Sequence, residues 1–319
     1  MLLSKFLDPK NDFAFKRILG TEKHQDILIH FINDILGFEG ANQIQTVQFL
    51  KAAQDPEIAC KKQSLVDVLC TDQMGRQYII EMQVVRTRGF EKRAQYYASK
   101  AYSRQLDRGE GYEYLKEVIF IAITDFVMFP DKVNYYSTHC LLDKETYSHD
   151  LKDFSFTFLE LPKFTKTIDE LNNLIEKWCY FFKHADETRE ADLAKIVGND
   201  KVILDAYEAL NRFGWSEIEL NTYEQEDKRE RDARAIIAQQ VFEAETRIVE
   251  AEARGEARGE ARGEARGEVK GKTEGKAETL DNTRIAIELI KQGLSLEEIV
   301  ERTGITIDML AFLRKHMVH

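Results

Sequence analysis

The pattern of apolar residues in the first third of the chain predicts a β-hairpin. Two β-rich runs, 64–72 and 76–85, flank a three-residue loop that ends in Gly75. A loop of this length that ends in glycine suits a type I turn followed by a residue with positive φ. The register that this turn imposes places Asp67 directly opposite Glu81. A shift of the register by one residue would separate the two acids, so the prediction depends on the turn at Gly75.

The facing acids suggest a cation site. Gln83 lies two residues beyond Glu81 and therefore shares its face of the strand. Carboxylates side by side in apolar strands repel each other and lose hydration, and a divalent cation between them relieves both costs. Mg²⁺ in particular is held by one or two carboxylates, waters and substrate phosphate oxygens. The alternative is an edge hairpin whose acidic face is hydrated.

Two helices and a strand are predicted before the hairpin. Asn11 or Asp12 is suited to begin a helix that ends near Gly20, and a second helix covers 22–36. Residues 44–53 predict a strand. Asp12 keeps two interpretations: it is the N-cap of the first helix, or it is a third acid that reaches the metal from that helix.

The pattern after the hairpin completes a mixed sheet. A helix over 90–107 carries a stripe of small apolar residues suited to close packing on a sheet. Residues 118–124 are continuously apolar, which indicates a strand buried on both faces. Residues 137–148 and 154–161 predict further strands. The fold class is therefore α/β, or α+β in part, with a mixed sheet flanked by helices.

The C-terminal part is predicted to be helical, with a charged repeat inside it. Helices are expected over 190–197, 200–212 and 216–250. Residues 253–268 repeat Ala-Arg-Gly-Glu four times, which stacks like charges at i, i+4 and places glycine at every fourth position. We expect a frayed helix or a flexible spacer there, with association between copies through the Gly and Ala rows as one way to order it. Residues 283–315 resemble a helix-turn-helix.

These patterns divide the chain into four predicted segments. They are a core at 1–165, a helical subdomain at 166–250, a charged spacer at 251–279 and a small helical module at 280–319. The last module carries five basic and six acidic residues, so packing or partner contact is favoured over DNA sequence recognition.

Composition narrows the class of protein. The 319 residues are 43% hydrophobic and 32% charged, with a formal net charge of −11, which opposes general attraction to nucleic acid. No run approaches the ~20 apolar residues of a membrane span, and the N-terminus is charged too soon for a signal peptide. The four cysteines and seven histidines show no metal-ligand or disulfide spacing. We expect a cytoplasmic protein without a membrane partner.

A basic segment stands out against this acidic background. Residues 86–108 contain seven Lys or Arg and two Asp or Glu, a local charge of +5. One interpretation is an ordinary hydrated helix face. The other is a cradle for the phosphate backbone of a nucleic acid beside the acidic pair.

The order and spacing of five motifs resemble the PD-(D/E)XK nuclease superfamily and, within it, the recombination-promoting nuclease (Rpn) family, whose members are often described as transposases. The motifs are Leu7-Asp-Pro-Lys-Asn-Asp-Phe-Ala-Phe-Lys16, the strand with Asp67, Ile80-Glu-Met-Gln83, Arg93-Ala-Gln-Tyr-Tyr-Ala-Ser-Lys-Ala-Tyr102 and the segment 109–124. The resemblance covers roughly residues 5–165. It implies a restriction-endonuclease-like core and metal-dependent hydrolysis of DNA phosphodiester bonds, linked to recombination or mobile elements.

The resemblance also implies a ligand set. Asp67 and Glu81 would hold Mg²⁺, with Mn²⁺ or Ca²⁺ as alternatives, and the Met82 carbonyl is a further candidate ligand. Gln83 stands where the superfamily often has lysine, and an amide brings no positive charge. A nearby cation would therefore have to stabilise the transition state, and Lys16 is one candidate.

Arg93 is the second candidate for the cation that would stabilise the transition state. Six basic residues, Arg93 among them, are predicted to contact DNA phosphates. The six are Lys16, Arg86, Arg88, Lys92, Arg93 and Lys100. Two other functions stay open: a catalytically inactive nuclease fold that serves as a scaffold, and a helix-turn-helix regulator. The repeat lacks the Lys-Ser/Thr and the apolar strand of a phosphate-binding loop, so no nucleotide cofactor is expected.

Overall fold

The sheet at the centre of the fold is mixed and has six strands. The structure, a computed structural model, describes residues 4–50, 53–54, 64–107 and 109–316. The strands are β1 (Val47–Phe49), β2 (Ala53–Gln54), β3 (Ser64–Leu65), β4 (Val68–Asp72), β5 (Gln77–Gln83), β6 (Val118–Thr124), β7 (Tyr136–Cys140) and β8 (Phe154–Glu160). The order in the sheet is β1-β4-β5-β6-β8-β7, and β2 pairs separately with β3.

Nine α-helices are described. They are α1 (Asp12–Leu19), α2 (Gln25–Leu36), α3 (Phe90–Ser103), α4 (Leu174–His184), α5 (Glu190–Val197), α6 (Lys201–Ala209), α7 (Glu217–Lys291), α8 (Leu296–Thr303) and α9 (Ile307–His316). Contacts divide the chain into two units, Met1–Ala235 and Ile236–His319, so the boundary falls within α7. The α/β class predicted from the sequence is confirmed.

The middle strands are buried because helices cover both faces of the sheet. β5, β6 and β8 run parallel, and all seven residues of β6 are buried, as its continuous apolar run predicted. One face packs against α1, α2, α4, α5 and α6, and the other packs against α3. The small residues Ala94, Ala98 and Ala101 bring α3 close to the sheet.

The hairpin has the register that the sequence predicted. Val68 pairs with Ile80, and Gly75 adopts φ 84° in the turn. One correction concerns the first run, because 64–72 is not a single strand. It breaks at Asp67, which lies just before β4 and turns its side chain toward β5.

Some predicted elements end earlier than the sequence suggested. The strand over 137–148 ends at Cys140, because Asp143 accepts hydrogen bonds from the backbone of Glu145 and Thr146 and closes a turn. The helix over 90–107 ends at Ser103. Of the strand predicted over 44–53, the structure forms three residues as β1. The predicted strand also includes residues 51 and 52, which lie outside the described residues.

The second unit contains most of α7 together with α8 and α9. The backbone is helical through the repeat at 253–268, where a frayed helix or a flexible spacer was expected. Gly304 ends α8 with φ 65°, and Ile299 and Leu310 are buried against Ala286. The helix-turn-helix shape is thus present. Among the described residues, no helix is long and apolar enough to span a bilayer.

Candidate active site

Asp67 and Glu81 meet at the end of the hairpin that lies opposite the turn. Asp67 precedes β4, and its Oδ2 accepts a hydrogen bond of 2.9 Å from the backbone N–H of Met82. Glu81 belongs to β5 and is 4% exposed. The register alone would have set the two acids face to face. The break in the strand instead draws the Asp67 carboxylate onto the backbone beside Glu81.

The environment of Glu81 opposes its ionisation. Burial raises the pKa of Glu81, and the nearby negative charge of Asp67 raises it further, against a smaller opposing effect of Arg93. Glu81 Oε1 is buried and has no hydrogen-bond partner among the described residues. Burial likewise raises the pKa of Asp67, although Lys16 and the Met82 N–H favour its charged form. Additional positive charge near the pair would therefore favour the ionised form of both carboxylates.

Lys16 brings one positive charge to the pair from α1. Its Nζ lies 2.6 Å from Asp12 Oδ1 and 3.4 Å from Asp67 Oδ1. Burial works against the ammonium, but the hydrogen bond with Asp12 and the charge of Asp67 outweigh it and raise the pKa of Lys16. Lys16 is therefore a fixed cation, and Asp12 contacts the acidic pair through it.

Asn11, and not Asp12, is the N-cap of α1. The Asn11 side chain accepts hydrogen bonds from the backbone of Phe13 and Ala14. The capping interpretation of Asp12 is therefore wrong. The Asn11 amide also donates to the backbone carbonyl of Tyr223. This buried residue thus fixes the helix that carries Lys16.

Arg93 brings the second positive charge from α3. Its Nη2 lies 3.6 Å from Glu81 Oε2 and donates a hydrogen bond to Gln83 Oε1. Gln83 Nε2 in turn donates to the Val85 carbonyl at 3.0 Å. Both ends of the Gln83 amide are engaged, so its arrangement suits orientation of Arg93 better than contact with a water molecule.

The Asp67–Glu81 pair has the donor chemistry of a small divalent-cation site. Two carboxylates, one with a buried oxygen that lacks a partner, are typical protein ligands for Mg²⁺, which keeps several waters. No group of three His, Cys, Asp or Glu side chains suited to a metal occurs in the part of the chain that the structure describes. The residues therefore fit a cation that takes its remaining ligands from solvent, backbone or substrate.

The other predicted phosphate contacts lie on or just before α3. Arg86, Arg88 and Lys92 are exposed, and Lys100 lies two turns further along the helix. The structure therefore brings Lys16 and Arg93 to the carboxylates and leaves the rest on the flank. Arg108, which contributed to the predicted basic segment, lies outside the described residues.

Tyr97 belongs to this site and was predicted only as part of the apolar stripe of α3. The Arg93 guanidinium lies 4.8 Å from the Phe90 ring and 5.9 Å from the Tyr97 ring. Burial raises the pKa of Tyr97, with Glu81 and Asp67 adding to the rise against Arg93. The i, i+4 spacing of Arg93 and Tyr97 on a helix was the signal that could have identified it.

Comparison with models of known protein families gave a match that covers the candidate site. A family model described as "PD-(D/E)XK nuclease family transposase" matches residues 9–240, which is more than two thirds of the chain. The matched range includes α1, the hairpin and α3. Neither the curated proteins nor the solved structures contained a match to this chain.

Proposed function

Because the chain belongs to the PD-(D/E)XK nuclease family transposases, we propose that it is a metal-dependent DNA endonuclease that acts in the cytoplasm, in recombination or on mobile elements. The family supports a nuclease. One observation carries the more specific proposal: Asp67 and Glu81 lie together at a partly buried end of the hairpin, with two cations beside them.

Asp67 and Glu81 are the residues that would hold the metal. The Met82 carbonyl stays a candidate third ligand. A bound Mg²⁺ or Mn²⁺ supplies two effects, a lower pKa of a coordinated water and polarisation of the scissile phosphate. The carboxylates in turn depend on Arg93 and Lys16, which compensate part of their mutual repulsion before a cation arrives.

Lys16 takes the role that a lysine at position 83 has in many superfamily members. Its ammonium contacts Asp67 and stays protonated, so it stabilises negative charge and does not act as a base. Asp12 orients it through the i, i+4 ion pair. In this proposal the ammonium stabilises the charge that develops on the phosphate.

Gln83 acts through Arg93. The hydrogen bond from Arg93 to Gln83 and the bond from Gln83 to Val85 hold the guanidinium beside Glu81. Arg93 then has a planar donor array suited to a phosphate oxygen. Gln83 is accordingly a positioning residue for a phosphate contact.

DNA is the proposed partner, and the flank of α3 is its proposed path. Arg86 and Arg88 are exposed just before α3, and Lys92 is exposed in its first turn. Arg93 follows Lys92 directly in the helix. Lys100 extends the basic character along the helix. These contacts would be independent of sequence and sensitive to salt.

The proposal is tested by nicking of supercoiled plasmid in Mg²⁺, Mn²⁺ or EDTA, together with calorimetric titration of the cation. We expect nicking that requires the cation and binding that is lost in Asp67→Ala and in Glu81→Ala. Asp169→Ala is the matched control, because Asp169 is an 81% exposed carboxylate elsewhere in the fold. Binding that survives in Asp67→Ala would contradict the assigned ligands. Cation binding without cleavage of any DNA substrate would favour an inactive scaffold.

We also propose that α7 associates with a second copy of the chain through the repeat. Arg254, Arg258, Arg262 and Arg266 are exposed and make no ion pair within this fully described stretch. The four-residue period allows only like charges at i, i+4, so opposite charges can meet only between helices. Sedimentation of residues 236–319 at several protein and salt concentrations tests this. We expect an oligomer that dissociates as the salt concentration rises, and a monomer at all protein concentrations would contradict the proposal.

A further inference from the structure

A cavity with aromatic walls lies on the same face of the sheet as Glu81 and is not explained by the proposed cleavage chemistry. Its volume is about 250 Å³. It opens between α3 and the β8–β7 edge of the sheet. The residues that matter for its chemistry are Glu91, Gln95, Phe129, His139, Phe156 and Phe158.

The aromatic rings form a preassembled wall. The His139 ring lies 4.9 Å from Phe129 at 32° and 5.4 Å from Phe158 at 85°. Phe129 and Phe158 pack edge to face at 5.2 Å. These contacts hold the rings in place before any ligand arrives, and a flat π-system is the partner that such a wall accommodates best.

The rim of the cavity carries positive charge. Lys132 Nζ lies 5.1 Å from the centre of the Phe129 ring and 3.3 Å from His139 Nε2. Burial lowers the pKa of His139, and Lys132 lowers it further against a smaller effect of Glu160, so the imidazole is neutral at pH 7. The wall is therefore an uncharged stack with one cation at its edge.

The opposite side of the cavity offers polar groups from α3. Gln95 Nε2 donates to the backbone carbonyl of Glu91 at 3.0 Å, which leaves Gln95 Oε1 as an acceptor. The exposed Glu91 carboxylate is a second acceptor. An apolar slot with acceptors on one side suits a planar ring that carries N–H groups on its edge.

The cavity lies close to the carboxylate pair along the sheet. Glu81 pairs with Ala122, and Ala122 pairs with Phe158, so the three residues form one row and point to the same face. Two strand spacings separate Glu81 from Phe158, about 10 Å. Helix α3 reaches both places, because its Arg93 contacts Glu81 and its Glu91 and Gln95 line the cavity.

We propose that this cavity binds an unpaired nucleobase of the DNA strand engaged at Asp67 and Glu81. The inference rests on the proposed nuclease function and specifies its substrate as DNA with an unpaired base near the cleaved bond. The base stacks on the wall of His139, Phe129 and Phe158, its N–H groups donate to Gln95 or Glu91, and its phosphate lies near Lys132. A fully paired duplex cannot present a base in this way without extrusion of a nucleotide.

The test is a binding measurement without cleavage, made with Asp67→Asn protein in EDTA. Fluorescence anisotropy compares single-stranded oligonucleotides of equal length and charge, one with all bases and one with abasic sites. We expect about tenfold tighter binding of the oligonucleotide that keeps its bases, because a base that stacks on aromatic rings adds affinity that an abasic site lacks. An affinity ratio near one would overturn the proposal.

Substitutions then locate the effect in the cavity. Gln95→Trp fills the cavity from an exposed helix position and should bring the affinity ratio close to one. Ser99→Trp is the matched control, because Ser99 is exposed one turn further along the same helix and does not line the cavity. An unchanged ratio in Gln95→Trp, with a normal unfolding transition, would place base recognition elsewhere.

The outcome is separable from that of the proposed function. If cleavage depends on Asp67 but both oligonucleotides bind equally well, the nuclease function is supported and base binding in the cavity is rejected. If the preference for the oligonucleotide with bases is lost in Gln95→Trp but the wild-type chain cleaves no DNA, a nucleic-acid site is supported and the nuclease function is rejected. Absence of both rejects both.

Discussion

The two ends of the β4–β5 hairpin both carry a buried carboxylate, and the two carboxylates have opposite surroundings. At the turn, Asp72 accepts hydrogen bonds from the backbone of Met74 and Arg76, from Arg76 Nε at 2.7 Å and from the Tyr78 hydroxyl. At the other end, Glu81 has an oxygen without a partner and a raised pKa.

The difference separates an acid whose charge is compensated within the fold from one that we propose binds a ligand. Asp72 and Glu81 are both buried carboxylates, so burial alone does not mark the site. Asp72 stabilises the turn because its charge is compensated within the fold. Glu81 and Asp67 leave part of their charge uncompensated, which suits a ligand and opposes stability.

Asp72→Ala should destabilise the fold most. The substitution removes the acceptor of several hydrogen bonds and leaves the Arg76 guanidinium, 16% exposed, without its partner. Loss of one member of a buried ion pair costs about 3–5 kcal/mol, measured as the free energy of unfolding in urea. Asp143→Ala, in an exposed turn, is the control and should cost much less. A loss below about 1 kcal/mol in Asp72→Ala would remove the contrast between the two ends.

Lys16→Met should reduce the rate of nicking about 100-fold, because a positioned charge in an active site is typically worth that much. Lys16→Met also removes the ion pairs with Asp12 and Asp67, so its nicking rate is compared per folded molecule. Lys16→Arg keeps the charge and should recover part of the rate. Full activity of Lys16→Met at saturating Mg²⁺ would show that the metal alone stabilises the phosphate charge.

Glu81→Gln should stabilise the metal-free protein at alkaline pH. The pKa of Glu81 is raised in the fold above its ordinary value of 4.5, so unfolding releases a proton once the pH exceeds 4.5. The stability of the wild-type protein in EDTA therefore falls as the pH rises from 4.5 toward the raised pKa. Glu81→Gln should lose the part of this slope that Glu81 contributes and gain roughly 1–3 kcal/mol at pH 8, since one pKa unit corresponds to about 1.4 kcal/mol. Parallel stability curves for both proteins from pH 5 to pH 8 would contradict the raised pKa.

Gln83→Ala should have the smallest effect. Arg93 keeps its contact with Glu81 but loses the hydrogen bond that orients it. Loss of such an indirect contact typically costs about tenfold in activity or metal affinity. Gln83→Glu, which retains an acceptor for Arg93, should retain more activity than Gln83→Ala. Equal activity of all three proteins would remove Gln83 from the site.

The sequence predicted the hairpin and its register because the turn that ends in Gly75 sets the pairing. It also predicted β6, since a continuous apolar run requires burial on both faces. The pairing of Asp67 with Glu81 followed from the hairpin alone. The position of Asp67 before β4 did not follow, because a local break in a strand leaves no mark in the alternation of side chains.

The contacts between distant segments were the least predictable part. Asn11 and Tyr223 are joined by a hydrogen bond across more than two hundred residues, and no local pattern indicates it. The cavity beside α3 has the same origin, since Gln95, Phe129 and His139 come from three separate elements. The backbone is also helical through the repeat, where a frayed helix or a flexible spacer was expected from the cost of Gly and of stacked like charges.

The most direct test of the contrast between the two carboxylates is the nicking rate of Asp67→Asn and Asp72→Asn, each divided by its folded fraction under the assay conditions. We expect Asp67→Asn to lose nicking at least about 1,000-fold, because it removes a residue on which the chemistry depends, and to stay as stable as the wild type. Asp72→Asn should lose stability and keep near wild-type nicking per folded molecule. Retained nicking in Asp67→Asn, or equal loss in both, would contradict the assignment of the catalytic centre.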